Sequence, residues 1–498
     1  MQKWLRWREM AQTPLQSSSD SQLPGPSPRS PDKPKRLSGS LLRRTVATHP
    51  YSLATIAVLV GLGIQAVAKS GSGWNQVYVM PAALLLQGRD FYREIPAFTY
   101  PPFSAWIFTP FVFLRPWAAR AVWYLVCATA LVYLCMKAWR LAGGSKLESP
   151  GRSTPTRRRE QIAFLLGQAI AFKFVINVLS HLQTDLVIAA LLMAGCAAIG
   201  AAHYFRAATW IGCAAAFKAT PLLFAAYLLW RRQWLAAVWL LCVAVGANLL
   251  PDTIHRPPDG GVWSVHWYQR YLRPMGSATY LPGDWHNQLN NNQSIAGAVR
   301  RWLGTSWRSA PKAFVVFDRP GAPTKNIIRM VYYVCCMSVL LPVLLVEWRR
   351  RRAREPAAVP LPKDELDLYD ASAIPAASQI ECGIVLLLML LLSPNSSPAH
   401  FCVMLLPAFC IARLAVYTRG WGLRALLALA ILFSILSIHV RIPSTLAAEQ
   451  ILLWLGTISA SAFFLLLACI AALLRPMYLP VANENGPHGR HVAPGQDA

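Results

Sequence analysis

Apolar positions along this chain come in long blocks, separated by short stretches of basic, proline-rich or aromatic residues. The blocks fall at 51–69, 102–114, 117–138, 164–178, 184–201, 207–230, 235–250, 327–348, 382–392, 401–416, 423–440 and 451–474. Many approach the roughly 17–25 residues that carry a helix across about 30 Å of hydrocarbon, and several hold no charge. A backbone crossing lipid must satisfy its own hydrogen bonds, so such blocks are read as helices. The pattern predicts an all-α, polytopic membrane protein, a bundle of about twelve transmembrane helices. Two stretches, 70–101 and 251–326, are polar and aromatic instead, and short helices are expected within the second at 263–272 and 293–303.

Composition supports this picture. Hydrophobic residues make up 55% and charged residues 14% of the chain, against about 25% charged in soluble domains, and the mean hydropathy is +0.36. The formal net charge of +26 resides in tails and short loops, as at Arg43-Arg44, Arg231-Arg232 and 349–354. That is the signature of cytoplasmic loops, and with no nucleic-acid module beside it, no nucleic-acid partner is expected. Twelve crossings put both termini in the cytoplasm and the 70–101 and 251–326 loops outside. The same count also puts the basic stretch 146–159 outside, against the charge rule. Residues 1–48 are expected to be a disordered basic tail, 49–476 the membrane domain and 477–498 a disordered polar tail. The eleven cysteines lie mostly within apolar blocks without CxxC spacing, so neither a disulfide framework nor a zinc site is expected. No metal and no cofactor are expected.

The chemistry concentrates near the two polar stretches. Asp90 and Glu94 stand among aromatics, in a loop that Tyr92, Phe98 and Tyr100 pin and that Pro101-Pro102 ends; Gly-x-Asp is also ordinary turn chemistry. Lys218 falls inside an apolar block, where a charge costs about 2.5–3.5 kcal/mol, so it requires an ionic partner or an aqueous cavity. Gln183 and Asp185 open an apolar block, where an aspartate also caps a helix. Asn292, Gln293 and Ser294 make a similar helix start ahead of Arg300, whose guanidinium suits a phosphate. His400 follows Pro394 and Pro398 at the end of a block. Trp263, His266, Trp267 and Tyr268 form an aromatic cluster that reads as an interfacial belt or a sugar-stacking platform.

Taken in order, these residues resemble glycosyltransferase family 87 of the GT-C superfamily. Val77 to Phe103 (VYxxxAxxLLxGxDFY…FxYPPF) is similar to the family's first outside loop. Gln183-Thr184-Asp185 resembles its GQxN/D, and Phe217 to Pro221 followed by Arg231 to Trp234 its K-x-x-P helix and basic exit. Asn292-Gln293-Ser294 to Arg300 resembles NQS…R, and Leu391 to His400 its LLSP…HH block. The resemblance spans about residues 50–475. It implies a GT-C-like helical bundle, a polyprenyl-phosphate sugar donor, a lipid or glycan acceptor, and hexosyl (mannosyl) transfer at the extracytoplasmic face of the plasma membrane, among membrane lipids. On that reading Asp90 or Glu94 is the base. Lys218, His400 and Arg300 hold the donor phosphate, and Tyr100, Gln183, Asp185, Asn292 and Gln293 line the substrate site.

Two departures stand out. Where the family opens its first loop with a catalytic aspartate, this chain has Trp74-Asn75, and its paired histidines are here Ala399-His400. A lipid or sugar transporter or flippase therefore stays open as an alternative, as does a non-enzymatic, catalytically altered family member.

Overall fold

The computed structural model describes residues 50–68, 73–145, 154–277, 280–283, 291–303, 324–352, 375–418, 420–437 and 446–475. The expected tails at 1–48 and 477–498 lie outside the described residues. All regular structure among the described residues is helical, as the block pattern predicts.

After α1 (Pro50–Ala68), the chain makes a single π turn, Asn75–Val79, that runs into α2 (Met80–Leu86). It continues through the short helices α3 (Phe91–Glu94), α4 (Phe103–Ile107) and α5 (Thr109–Val112). The long α6 (Pro116–Leu141) and α7 (Thr154–His181) come next, then α8 (Asp185–Gly200), α9 (Tyr204–Phe217), α10 (Leu223–Trp230) and α11 (Trp234–Leu249). The second polar stretch carries α12 (Trp263–Trp267) and α13 (Ile295–Leu303). The chain ends with α14 (Lys325–Arg352), α15 (Ala377–Leu391), α16 (Leu405–Tyr417), α17 (Trp421–Leu436), α18 (Leu446–Leu455) and α19 (Thr457–Leu473).

Side-chain bonds between helix ends fix their directions. At one end, Ser104 Oγ donates to the Phe217 carbonyl (3.1 Å) and the Phe103 N–H to Asn248 Oδ1 (3.0 Å), so α9 and α11 finish together. Trp239 Nε1 donates to Thr209 Oγ1 at 2.9 Å, near the starts of the same two helices. Helices α9 and α11 thus run in parallel, and α10 descends between them. At the opposite end, Glu381 meets Arg231 (3.3 Å) and Arg350 (2.8 Å), and Glu160 meets Arg413 (2.8 Å). We call the end carrying residues 250–277 the near end and the other the far end.

Two sequence expectations are corrected, and the corrections cancel. The block at 102–114 is not a crossing: it breaks at Phe108 into α4 and α5, because Pro110 lacks an N–H and Thr109 Oγ1 turns back onto the Trp106 carbonyl at 2.9 Å. The block at 207–230 is two passes. Lys218 is extended (φ −156°, ψ 124°), and Pro221 in the following 3-10 turn, Thr220–Leu222, disfavours a continued helix. The described passes therefore still number twelve: α1, α6 to α11, α14, α15, the stretch Pro398–Tyr417 that ends in α16, α17 and α19. Moving one break also brings the end of α6 and the start of α7 to the far end, the end that carries Arg231 and Arg350.

Five helices are long and apolar enough to cross a membrane by length and composition alone, and the remaining apolar helices are shorter. The protein is membrane-integral. Nearly every side chain of α15 and α16 is buried, which makes that pair the centre of the bundle. A smaller aromatic core joins the two polar stretches at the near end. Phe91 stacks on Trp263 with centroids 4.3 Å apart, Tyr271 Oη donates to the Phe98 carbonyl at 2.8 Å, and Trp267 Nε1 donates to the Thr99 carbonyl at 3.0 Å. The aromatic cluster of the second stretch is thus mainly packing that closes the near end.

Candidate active site

The turn from α7 to α8 sets the first wall of the site. Helix α7 ends with Leu182 in the left-handed region (φ 55°), where the Gln183 N–H reaches back to the Val178 carbonyl at 3.1 Å. Such an ending normally takes glycine. A leucine there costs on the order of 1–2 kcal/mol, which its almost complete burial (1% exposed) offsets. The turn leaves His181 and Gln183 facing a cavity of about 740 Å³. It also starts α8 on Asp185, where the positive end of the helix dipole favours a carboxylate.

The break between α9 and α10 supplies the cation. Lys218 Nζ lies 2.8 Å from Asp185 Oδ1 and 2.5 Å from His400 Nε2, with His400 Nε2 3.9 Å from the same carboxylate oxygen. Asp185 is 4% exposed, and its Oδ2 is buried without a partner. The lysine ammonium has donors and no acceptor, so His400 Nε2 must accept. The neutral His400 ring then carries its proton on Nδ1. The ring of Tyr100 stands 5.6 Å from Lys218 Nζ, and Tyr100 and Tyr78 share a hydrogen bond of 2.9 Å.

Residues 393–400 form the opposite wall. They are held by the second polar stretch: Asn292 Nδ2 donates to the Pro394 carbonyl (2.8 Å), while Asn292 Oδ1 accepts from Ser396 N (3.1 Å) and Ser294 Oγ (2.8 Å). Gln293 Nε2 donates to the Leu453 carbonyl at 2.9 Å, where α18 meets α19. The cavity is further lined by Trp74, Tyr78, Thr99, Asn177, Trp267, Asn291 and Asn395. Among the described residues, none of the lining side chains is a carboxylate.

Measured against the sequence reading, Lys218, His400, Tyr100 and Gln183 line one cavity, with Asp185 directly behind Lys218. Asn292 and Gln293 are clamps that shape a wall rather than face it. Three expectations do not fit the geometry. Asp90 accepts the Tyr92 and Arg93 N–H groups at 3.0 Å as the N-cap of α3, and Glu94 pairs with Arg89 at 2.6 Å on the exposed side of the loop. Neither lines the cavity, because the capping turn fixes the Asp90 carboxylate on its own backbone. Arg300 also lies off the cavity; its neighbour Arg301 is the buried one, donating to the Trp454 carbonyl at 2.9 Å and to the Asn292 carbonyl. Desolvation pushes the Arg301 guanidinium down to about 10. Sequence reasoning passed over His181, and it named Tyr78 within the first-loop motif and Trp267 within the aromatic cluster without placing them at the cavity. The signal available for His181 was a polar residue at the end of an apolar block, next to Gln183.

An all-helical membrane bundle with a cation, a carboxylate and an imidazole at the foot of a near-end cavity defines a class of membrane enzyme. The model of glycosyltransferase family 87 matches residues 98–361, more than half of the chain, and the chain belongs to that family. It is similar to the polyprenol-phosphate-mannose-dependent alpha-(1-2)-phosphatidylinositol mannoside mannosyltransferase of Mycolicibacterium smegmatis (strain ATCC 700084 / mc(2)155). The two are 26% identical over 444 residues, covering 83% of this chain and 85% of that protein. The protein of the same name from Mycobacterium tuberculosis (strain ATCC 25618 / H37Rv) is 28% identical over 328 residues, covering 55% of this chain and 70% of that protein.

Proposed function

We propose that this glycosyltransferase moves a hexose, mannose by analogy with its relatives' names, from a polyprenyl-phosphate sugar to a lipid or glycan acceptor. The observation that carries this reading is Lys218, set between Asp185 and His400 on the cavity wall. Asp185 aims the ammonium, and Lys218 with His400 Nδ1–H supplies donors for the phosphate that leaves. In the step itself, an acceptor hydroxyl oxygen bonds to the anomeric carbon. The bond from that carbon to the phosphate oxygen breaks, and its electron pair stays on the phosphate. Fixed donors aimed at that developing charge are the usual largest contribution to such a rate.

The depth of the site suits a lipid-borne donor. The return pass Thr220–Trp230 is a short apolar helix that covers only about 17 Å at helical rise, well short of the roughly 30 Å of hydrocarbon. Lys218 therefore sits below the near boundary of the membrane, where a phosphate tethered to a polyprenyl chain is presented. The near end is the extracytoplasmic face of the plasma membrane on this reading, with the arginine-rich turns of the far end in the cytoplasm. Incubating the purified protein with radiolabelled polyprenyl-phosphate mannose and phosphatidylinositol mannosides is expected to yield a mannosylated lipid. Donor binding without product would overturn the activity.

A further inference from the structure

The cavity contains one imidazole set to donate a hydrogen bond and a second set to take a proton, and we infer that His181 is the general base that accepts the proton of the acceptor hydroxyl. The inference rests on the transfer reading above. The two rings are distinguished by their partners. His400 Nε2 is occupied by Lys218 at 2.5 Å, which places the His400 proton on Nδ1. His181 has the opposite arrangement: its Nδ1 is 2.9 Å from the Asn177 carbonyl, which can only accept. The neutral His181 ring therefore carries its proton on Nδ1 and leaves the Nε2 lone pair bare. His181 is exposed and lines the cavity, and no donor among the described residues meets that nitrogen.

Among the described residues, the other proton acceptors near the cavity are already committed. No carboxylate of the described residues lines it, Trp74 stands where the resemblance puts an aspartate, and the Asp185 carboxylate lies behind Lys218, bound through Oδ1. Tyr78 and Tyr100 bond to each other. The charged and titratable groups that share the cavity with His181 are thus Lys218, His400, Tyr78 and Tyr100, with Asp185 behind them. As the acceptor oxygen bonds to the anomeric carbon, its proton passes to His181 Nε2. The Asn177 carbonyl keeps the ring in register and faces the positive charge that forms, before solvent in the cavity takes the proton away.

The test is steady-state transfer from radiolabelled polyprenyl-phosphate mannose by the full-length protein, as a function of pH, for wild type, His181→Gln and His181→Glu. His181→Gln is expected to lower kcat by about 10²–10⁴-fold, the usual contribution of a general base, with donor binding within twofold of wild type as evidence of an intact fold. The wild-type pH profile is expected to fall on its acidic limb, where a general base is protonated and cannot accept the hydroxyl proton. His181→Glu is expected to recover activity, with that limb displaced toward the carboxylate range. A His181→Gln protein that binds donor and turns over at the wild-type rate with the same limb would overturn the base. If the wild type itself binds donor but forms no product, the transfer reading falls, and the base with it.

Discussion

Lys218 and Asp185 belong to different passes of the bundle, yet their charged atoms lie 2.8 Å apart, each brought there by an interruption of a helix. The lysine occupies the extended break after α9, and the aspartate the first turn of α8 after the left-handed Leu182. One broken helix end therefore answers the other. A charge that would be costly inside an apolar block becomes the floor of an aqueous cavity.

Removing either partner is expected to have unequal effects on stability and on turnover. Asp185→Asn leaves Lys218 without its counter-charge, and breaking a buried pair costs about 3–5 kcal/mol. The lysine lines a cavity and is 16% exposed at its side chain, which favours the lower end. Lys218→Met strands Asp185, which is 5% exposed, and is expected to cost more. The double variant Asp185→Asn/Lys218→Met is expected to recover much of the loss while remaining inactive. Unfolding midpoints in detergent, set beside donor turnover, check this. Additive destabilisation in the double variant would show that the two charges are not coupled.

Asp90 is expected to matter for its loop and not for the reaction. Asparagine caps a helix about as well as aspartate, so Asp90→Asn should keep wild-type kcat, while Asp90→Ala should lose about 0.5–2 kcal/mol of local stability. The Arg89–Glu94 pair is exposed, and Glu94→Ala is expected to change stability by less than about 1 kcal/mol. Turnover and hydrogen exchange across residues 89–95 measure the two effects separately. A large fall in kcat for Asp90→Asn would return it to the chemistry.

The sequence made the membrane bundle, the cation and its histidine legible because burying a charge or a full turn of polar backbone in lipid is so unfavourable that few arrangements remain. Lys218 had to have a partner, and Asp185 and His400 were available. Hydropathy could not locate the break at Lys218. An apolar block of that size reads the same whether it crosses once or turns back, and only the Lys-Ala-Thr-Pro run hinted at the turn. The acidic loop misled for a related reason. Asp90 at a Gly-x-Asp turn looks alike as a cap and as a base, and the difference lies in where its carboxylate points. Asn292 and Gln293 were found as a motif but not as clamps, since their partners at Pro394, Ser396 and Leu453 are far away in the chain.

That clamp yields a further expectation. Asn292 bonds to Pro394, Ser396 and Ser294 through its side chain, and a Cβ placed on Gly297 would lie 2.2 Å from the Asn292 carbonyl oxygen and 2.6 Å from its side-chain carbon. Both Asn292→Ala and Gly297→Ala should therefore loosen the wall at 393–400 while leaving Lys218, Asp185 and His400 in place. Leaving buried Pro394 and Ser396 backbone groups unpaired costs about 1–3 kcal/mol each. Donor KM should rise more than kcat falls, because the wall that positions His400 moves while the reacting groups remain. Kinetics and melting of the two variants should agree; a selective loss of kcat would place Asn292 in the chemistry instead.

The alternation of passes can be tested directly, and it separates the structure from a plain hydropathy count. Counting apolar blocks puts 146–159 on the same face as the two polar stretches and leaves Lys218 at mid-membrane. In the structure, α6 ends and α7 begins at the far end, and Lys218 opens into the near-end cavity. Ser145→Cys and Arg232→Cys should therefore react with an impermeant thiol reagent from one face of sealed vesicles. Ala97→Cys and Ala219→Cys should react from the other, the last more slowly because it is half-buried whereas Ala97 is exposed. The native cysteines are a small background: most are buried, and Cys242 is exposed on the apolar helix α11, within a candidate membrane span that an impermeant reagent does not enter. Labelling of Ser145→Cys from the same face as Ala97→Cys would restore the crossing at 102–114 and displace the two-pass hairpin around Lys218 on which the cavity is built.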